Sequence, residues 1–198
     1  MTFRKEQKYR LTISDHKMIK NLLYANGLRK LYIPRKINSC YFDNEALQSF
    51  QDSDEGSLPR KKIRFRWYNQ NKQIFKEIKY SSIEGRFKIS ENFKDIQFLQ
   101  DYQTQLFDTD YGLMKPVLLV EYIREYYLLK GVRVTFDSNI TYTDLRISNG
   151  RRFYDCETVL ELKAPYYISN DSLDDLIKMP TSRFSKYCRG ILMQERIL

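Results

Sequence analysis

The stretch Lys62-Ile63-Arg64-Phe65-Arg66-Trp67-Tyr68 alternates cations with large apolar side chains. Period two is the mark of a β-strand, in which neighbouring side chains leave on opposite faces. Lys62, Arg64 and Arg66 then form one row, continued by Arg60 and Tyr68, while Ile63, Phe65 and Trp67 form the other. One row is fixed positive charge and the other is core. Such a strand either turns its charged side to solvent or lines a cavity for an anion. The rest of the chain has to separate the two.

Working outward, residues 69–72 read as a turn and 73–80 as the returning strand, with Glu77 and Lys79 on one face. Residues 3–11 read as a strand with Arg4, Glu6, Lys8 and Arg10 on one face, and 37–43 as another. Between these, Ser14 or Asp15 offers an N-cap to a helix with Met18, Ile19, Leu22 and Leu23 as its apolar stripe and Gly27 as its stop. A short helix is expected at 45–50, a polar loop at 52–57, and a longer helix at 92–107 that buries Ile96, Leu99, Tyr102 and Leu106. Strands follow at 117–130, 132–137, 140–144 and 158–164, carrying Arg124, Arg133 with Thr135 and Asp137, and Glu161 with Lys163. Residues 171–178 read as a short helix. Phe184, Tyr187, Cys188, Ile191 and Leu192 have the spacing of a buried helical face. His16, the sole histidine, reads as structural or exposed.

The 198 residues suit one domain spanning 1–198. With 16 Tyr and 12 Phe the chain reads as folded and strand-rich. Lys plus Arg number 34 against 25 acids, a net +9, which favours an anionic partner such as a phosphate chain, nucleotide or nucleic acid. Cys40, Cys156 and Cys188 are too few and too scattered for a disulfide framework or a zinc site, and fit a reducing cytoplasm. No apolar run approaches the ~20 residues of a membrane span, and the N-terminal residues carry no apolar signal core. There is no Walker A loop, kinase glycine loop or Gly-x-Ser-x-Gly. With only 7 Gly, phosphates would have to be held by side chains.

Across the strands, Arg4, Lys8, Arg10, Arg60, Lys62, Arg64, Arg66, Lys79, Arg124, Arg133 and Lys163 face only Glu6, Glu77, Glu161 and Asp137. Each of the three Glu stands two residues before a Lys. Ordinary surface ion pairs would be nearer balance, because adjacent like charges repel. A sheet closed on a charged interior is useful only if a ligand fills it. A phosphate chain with a divalent cation suits this mixture. Arg supplies forked donors, Lys supplies point charge, and carboxylates hold Mg²⁺ or Mn²⁺. Phe65 and Trp67 lie opposite Arg64 and Arg66, which argues against a base-stacking platform for nucleic acid. Tyr122 and Tyr126 do share the face of Arg124. No nucleic-acid partner is expected.

The pieces Arg4-Lys5-Glu6-Gln7-Lys8-Tyr9, Asn38-Ser39-Cys40-Tyr41-Phe42-Asp43, the opening stretch, Glu77-Ile78-Lys79, Tyr122-Ile123-Arg124, Arg133-Val134-Thr135-Phe136-Asp137, Leu160-Glu161-Leu162-Lys163 and Phe184-Ser185-Lys186-Tyr187 occur in this order over nearly the whole chain. In this the chain resembles the VTC domain of polyphosphate polymerases, within the triphosphate tunnel metalloenzyme superfamily. The resemblance implies an α+β fold, an eight-stranded antiparallel β-barrel tunnel with helices packed outside. It implies a metal-dependent phosphotransferase that builds polyphosphate from ATP with Mn²⁺ or Mg²⁺. By motif position it makes Lys8, Arg64, Arg66, Lys79, Arg124, Arg133, Lys163 and Lys186 catalytic. Arg4, Lys62, Lys88, Arg183 and Ser185 become substrate contacts, and Glu161, Glu6 and Glu77 metal ligands. ATP and polyphosphate or pyrophosphate are the implied partners.

Several departures stand out. Arg4 takes the first acidic position of the Glu-x-Glu-x-Lys found in CYTH-type triphosphatases and class IV adenylate cyclases, which points to the VTC branch. Lys76 replaces an apolar residue before Glu77, and Arg183 a lysine of some members. Neither an SPX domain nor a transmembrane segment, as in the eukaryotic complexes, is present in this sequence. A triphosphate or nucleoside triphosphate hydrolase and a non-catalytic polyphosphate binder remain the alternatives.

Overall fold

The structure is a computed structural model that describes residues 4–71, 73–94, 98 and 102–195. In chain order the elements are β1 (Arg4–Leu11), α1 (Ile13–Ala25), β2 (Arg29–Asp43), α2 (Gln48–Glu55), β3 (Arg60–Tyr68), β4 (Ile74–Ser82), β5 (Gly85–Phe93), β6 (Leu106–Asp108), β7 (Gly112–Leu129), β8 (Val132–Asp144), β9 (Arg152–Tyr154), β10 (Thr158–Pro165), α3 (Asn170–Asp174) and α4 (Lys186–Glu195). Eight strands pair in the order β1-β10-β8-β7-β2-β3-β4-β5, with β6 added to β7 and β9 to β8. The ladders β1·β10, β10·β8, β2·β3, β3·β4, β4·β5 and β6·β7 are antiparallel. This is the expected α+β class, with eight strands on the main path. The chain groups into two compact units, one of residues 1–36, 122–140 and 154–184, the other of 37–121, 141–153 and 185–198.

In the first unit, alternation sends Tyr9 and Leu11 of β1, Val134 and Phe136 of β8, and Leu160 and Leu162 of β10 to one face. Ile19 and Leu23 of α1, with Leu173 and Ile177, cover that face. Thr12, rather than Ser14 or Asp15, caps α1. Asp15 N–H donates to Thr12 Oγ1 at 3.1 Å, and Thr12 N–H donates to the Asp15 carboxylate at 3.2 Å, a reciprocal capping box. Gly27, at φ 95°, turns the chain after the helix as expected. Only the i, i+4 pair Ile19 and Leu23 of the expected stripe is buried; Met18 and Leu22 are exposed. His16 is structural: its ring stacks on Phe136 at 4.7 Å, and Nδ1 lies 3.2 Å from Thr158 Oγ1.

In the second unit, Cys40, Phe42, Ile63, Phe65, Trp67 and Ile74 share an apolar face with Phe98, Tyr111, Met114 and Leu119. The Asp43 carboxylate accepts from the N–H groups of Ser49 at 3.0 Å and Phe50 at 2.8 Å, and so satisfies the open end of α2. That helix continues to Glu55 through residues expected to form a loop. Tyr187 of α4 donates to the same carboxylate at 2.5 Å. Gly190 lets α4 approach closely: a Cβ there would stand 2.5 Å from Leu118 and 2.6 Å from Tyr142.

Several expected boundaries move. β2 begins at Arg29, eight residues early, on a segment whose side chains are nearly all exposed. β8 is one strand rather than two, and α3 is shorter than the expected helix. Residues 92 and 93 close β5, and 106 and 107 lie in β6, so the two ends of the expected 92–107 helix are strand. Its Ile96 and Leu99 lie outside the described residues. β5 itself was not foreseen: pairing with β4 holds a segment that is exposed along most of its length and so lacks a buried stripe. Among the described residues no helix is long and apolar enough to cross a membrane.

Candidate functional site

Each unit carries a polar sheet face opposite its apolar one. In the second unit the register of β3, β4 and β5 sets Lys62 beside Lys79 and Lys79 beside Lys88. Like charges directly opposite one another destabilise a sheet unless an anion joins them. The adjacent rows are Tyr41, Arg64, Glu77 and Ser90, then Ser39, Arg66, Phe75 and Asn92.

Glu77, only 3% exposed, is shared among these cations. Its Oε2 accepts from Arg64 Nε at 2.8 Å and Nη2 at 2.6 Å, its Oε1 accepts from Lys88 Nζ at 2.8 Å, and Arg66 Nη1 stands 3.7 Å away. Burial alone would raise the Glu77 pKa. Arg64 and Arg66, with Lys88, outweigh it and hold the carboxyl well below its usual range. The Tyr41 hydroxyl accepts from Arg64 Nη1 at 3.0 Å. Burial pushes this phenol up, and the neighbouring Arg64 and Arg66 pull it down further, so the net shift is downward. Arg66 Nε donates to Ser39 Oγ at 3.3 Å. Lys62 Nζ donates to Ser185 Oγ at 2.9 Å, and the same oxygen accepts from Cys188 N–H at the start of α4. Ser185 is therefore the helix cap, with Lys186 as the first helical residue.

In the first unit the rows are Lys8, Glu161 and Thr135, then Glu6, Lys163 and Arg133. Arg124 Nε and Nη2 donate to the two oxygens of the fully buried Asp137 at 2.5 and 2.7 Å. Arg124 also reaches Glu161 Oε2 at 3.4 Å and lies over the Tyr122 ring at 5.4 Å. Lys163 Nζ bridges Glu161 Oε1 at 2.8 Å and Glu6 Oε2 at 3.3 Å, and Lys8 Nζ is 3.0 Å from Glu6 Oε1. Burial would raise the Glu161 pKa, but Arg124, Lys163 and Lys8 hold it well below the usual range. Lys8 Nζ also donates to the Phe184 carbonyl at 3.2 Å, and Ser182 N–H donates to the Lys8 carbonyl at 2.7 Å. This lays 182–184, with the exposed Arg183, along β1.

The expected site residues thus fall into two groups. Glu6, Lys8, Arg124, Arg133, Glu161 and Lys163 are on one face, with Arg183 near Lys8. Lys62, Arg64, Arg66, Glu77, Lys79, Lys88, Ser185 and Lys186 are in the other unit. The Arg4 backbone lies opposite Pro165, and its side chain is outside the described residues.

Among the described residues no three His, Cys, Asp or Glu side chains gather as a metal cage. Glu6 and Glu161 nevertheless converge on one cation, the Lys163 ammonium. Two such carboxylates fit a hard divalent ion that takes its other ligands from phosphate oxygens.

Sequence reasoning missed the roles of Tyr41, Ser39 and Asp137 on these faces, and the burial of Lys61 behind one of them. Tyr41 and Ser39 hold the arginines from β2, a role that only the register reveals. Asp137 is the main clamp on Arg124. Lys61, on the apolar side of β3, is buried against Asp108 at 2.7 Å and Asp110 at 2.9 Å, partners too distant in sequence for local periodicity to expose.

A family model described as VTC domain matches residues 3–194. A structure from Hippeastrum, of a candidate adenylyl cyclase described as having a dominant triphosphatase activity, superposes with a TM-score of 0.59 at 15% identity, covering 96% of each chain. A conserved hypothetical protein of Pyrococcus furiosus gives 0.54 at 12% identity, covering 94% of this chain and 99% of its own. The PH1819 protein of Pyrococcus horikoshii gives 0.53 at 17% identity, covering 98% and 100%. At these identities the likeness is one of fold. No curated protein sequence matches the chain significantly.

Proposed function

The chain belongs to the VTC domain family, and from that premise we propose that it is a polyphosphate polymerase-like phosphotransferase acting on ATP and polyphosphate. The observation that carries the reading is the row Lys62, Lys79 and Lys88 beside the buried Arg64 and Arg66. Glu77 is the carboxylate shared by Arg64, Lys88 and, at 3.7 Å, Arg66, and a phosphate chain lying along the row would add negative charge beside these cations.

Phosphoryl transfer asks a protein for positioning and charge neutralisation more than for covalent chemistry. In this proposal Arg64 and Arg66 grip phosphoryl oxygens from guanidinium planes already fixed by Glu77, Tyr41 and Ser39. Lys62, Lys79, Lys88 and Lys186 add point charge, and Ser185 adds a hydroxyl. Lys8, Arg124, Arg133 and Lys163 neutralise phosphate at the other face, with Arg183 and Arg4 as further contacts. Glu161 and Glu6 would hold Mn²⁺ or Mg²⁺, which when bound neutralises phosphate charge. Glu77, held by Arg64, Lys88 and, at 3.7 Å, Arg66, serves as the counter-charge that orders the arginines. The terminal phosphate of the growing chain is itself anionic, so the transfer needs no strong protein base. The three cysteines are free, which accords with a cytoplasmic protein.

A second reading, hydrolysis of a triphosphate, uses the same residues with water as the acceptor, and the activity described for the Hippeastrum neighbour favours it. Incubation with ATP and Mn²⁺ or Mg²⁺, resolved on a gel, separates the readings. Long phosphate chains are the expected result. Orthophosphate without chains replaces the first reading with the second, and binding without turnover leaves a polyphosphate-binding domain.

A further inference from the structure

We infer that Thr135 is a substrate-binding residue whose hydroxyl donates to an ionised phosphoryl oxygen. The inference rests on the proposed phosphate-binding role of the first unit's polar face.

Thr135 sits in β8 directly across the ladder from Glu161, between Arg133 and Asp137 along its own strand. Its side chain leaves on the same face as theirs, because all are two residues apart. The residue is 3% exposed, and Oγ1 has no hydrogen-bond partner among the described residues. Neighbouring acceptors are committed elsewhere. Both Asp137 oxygens take the Arg124 fork, and Glu161 takes Lys163 and Arg124. A buried hydroxyl left unpaired is destabilising. On packing grounds valine would serve this position better, as it does at Val132 and Val134 on the opposite face. The cations around Thr135 would draw a phosphate chain to this face, and a phosphoryl oxygen would accept the hydrogen bond that no described residue takes from Oγ1. Because the acceptor is ionised, that bond belongs to the stronger class.

The test is a titration of the whole chain with inorganic tripolyphosphate in the absence of metal, followed by calorimetry, together with melting of the ligand-free protein. Thr135→Val keeps the shape and removes the hydroxyl. It should weaken tripolyphosphate binding about tenfold while leaving the ligand-free melting temperature unchanged or higher. Thr135→Ser, which retains the hydroxyl, should bind within about twofold of wild type. A valine variant that binds as tightly as wild type overturns the inference. So does one whose ligand-free form melts lower while the serine variant does not, since the hydroxyl then has a partner inside the protein. A wild-type protein that fails to bind tripolyphosphate overturns the reading of the face itself, and this inference with it.

Discussion

The two polar faces are built from the same residue types in different proportions. In the second unit Glu77 is shared by Arg64, Lys88 and, at longer range, Arg66, next to a row of three lysines. In the first, Glu6, Glu161 and Asp137 interleave with Lys8, Arg124 and Lys163 so that nearly every cation touches a carboxylate. Under the proposed function, a face richer in cations than in carboxylates is the one that grips phosphate. Near-balance sets Glu6 and Glu161 around one ammonium, the place where a divalent cation would sit under the proposed function. The difference suggests a division of labour, with binding strength concentrated in one unit and metal dependence in the other.

The largest effect should come from the surplus. Arg64→Ala should weaken tripolyphosphate binding by roughly 30-fold or more. It should also cost on the order of 3 kcal/mol of stability, because Glu77 is left buried without its main partner; calorimetry and denaturant unfolding measure the two. Wild-type affinity in that variant would break the comparison at its root. A paired experiment sharpens it. Glu161→Gln should abolish metal-dependent turnover yet retain metal-free tripolyphosphate binding. Glu77→Gln should retain metal dependence but lower the melting temperature by several degrees. If the two variants behave alike, the proposed division of labour is wrong.

Acid should act on both faces. Glu77 and Glu161 are each held below the ordinary carboxylate range in the folded protein. As pH falls, the unfolded chain takes up their protons first. Their stabilisation is therefore complete above the unfolded value of about 4.3 and is lost as pH descends toward the folded values. Melting curves from pH 7 to 3 should show a steep fall below about pH 4.5, shallower in Glu77→Gln. A flat profile would mean that these carboxylates are not held by their cations in solution. His16 gives the smallest effect. Burial, aided by Lys20, lowers its pKa against the opposing pull of Glu125. The unfolded chain then binds the extra proton, so stability slips slightly as pH falls through about 6.5. His16→Asn should remove that slope between pH 7.5 and 5.5.

Much of each face was legible because its strands alternate strictly. The Glu-x-Lys pairs and the row Lys62, Arg64 and Arg66 follow from period two alone. Placing Phe65 and Trp67 on the apolar side needed nothing more, and both are buried there. What stayed hidden depends on pairing or on distance. β5 and the early part of β2 bury few side chains, so hydrogen bonding to neighbours shapes them without leaving a pattern. The row of three lysines needs the β4·β5 register, which no single strand encodes. The start of α2 is set by a carboxylate on β2 and not by a cap of its own sequence, since Leu47 provides no capping side chain. Lys61 reads locally as a charge on the wrong face, and only Asp108 and Asp110, brought back by β6 and the turn after it, explain its burial.

The hydrogen bond from Lys62 to Ser185 spans 123 residues of chain, and that from Lys8 to the Phe184 carbonyl spans 176. On a ribosome adding about 5–20 residues per second, the cations of β1 and β3 emerge many seconds before those two partners exist. Neither face can reach its final arrangement until the segment around 184 and 185 has been made. During that interval the basic strands are nascent polyelectrolyte, and each face waits for its own partner from that segment, Phe184 for β1 and Ser185 for β3.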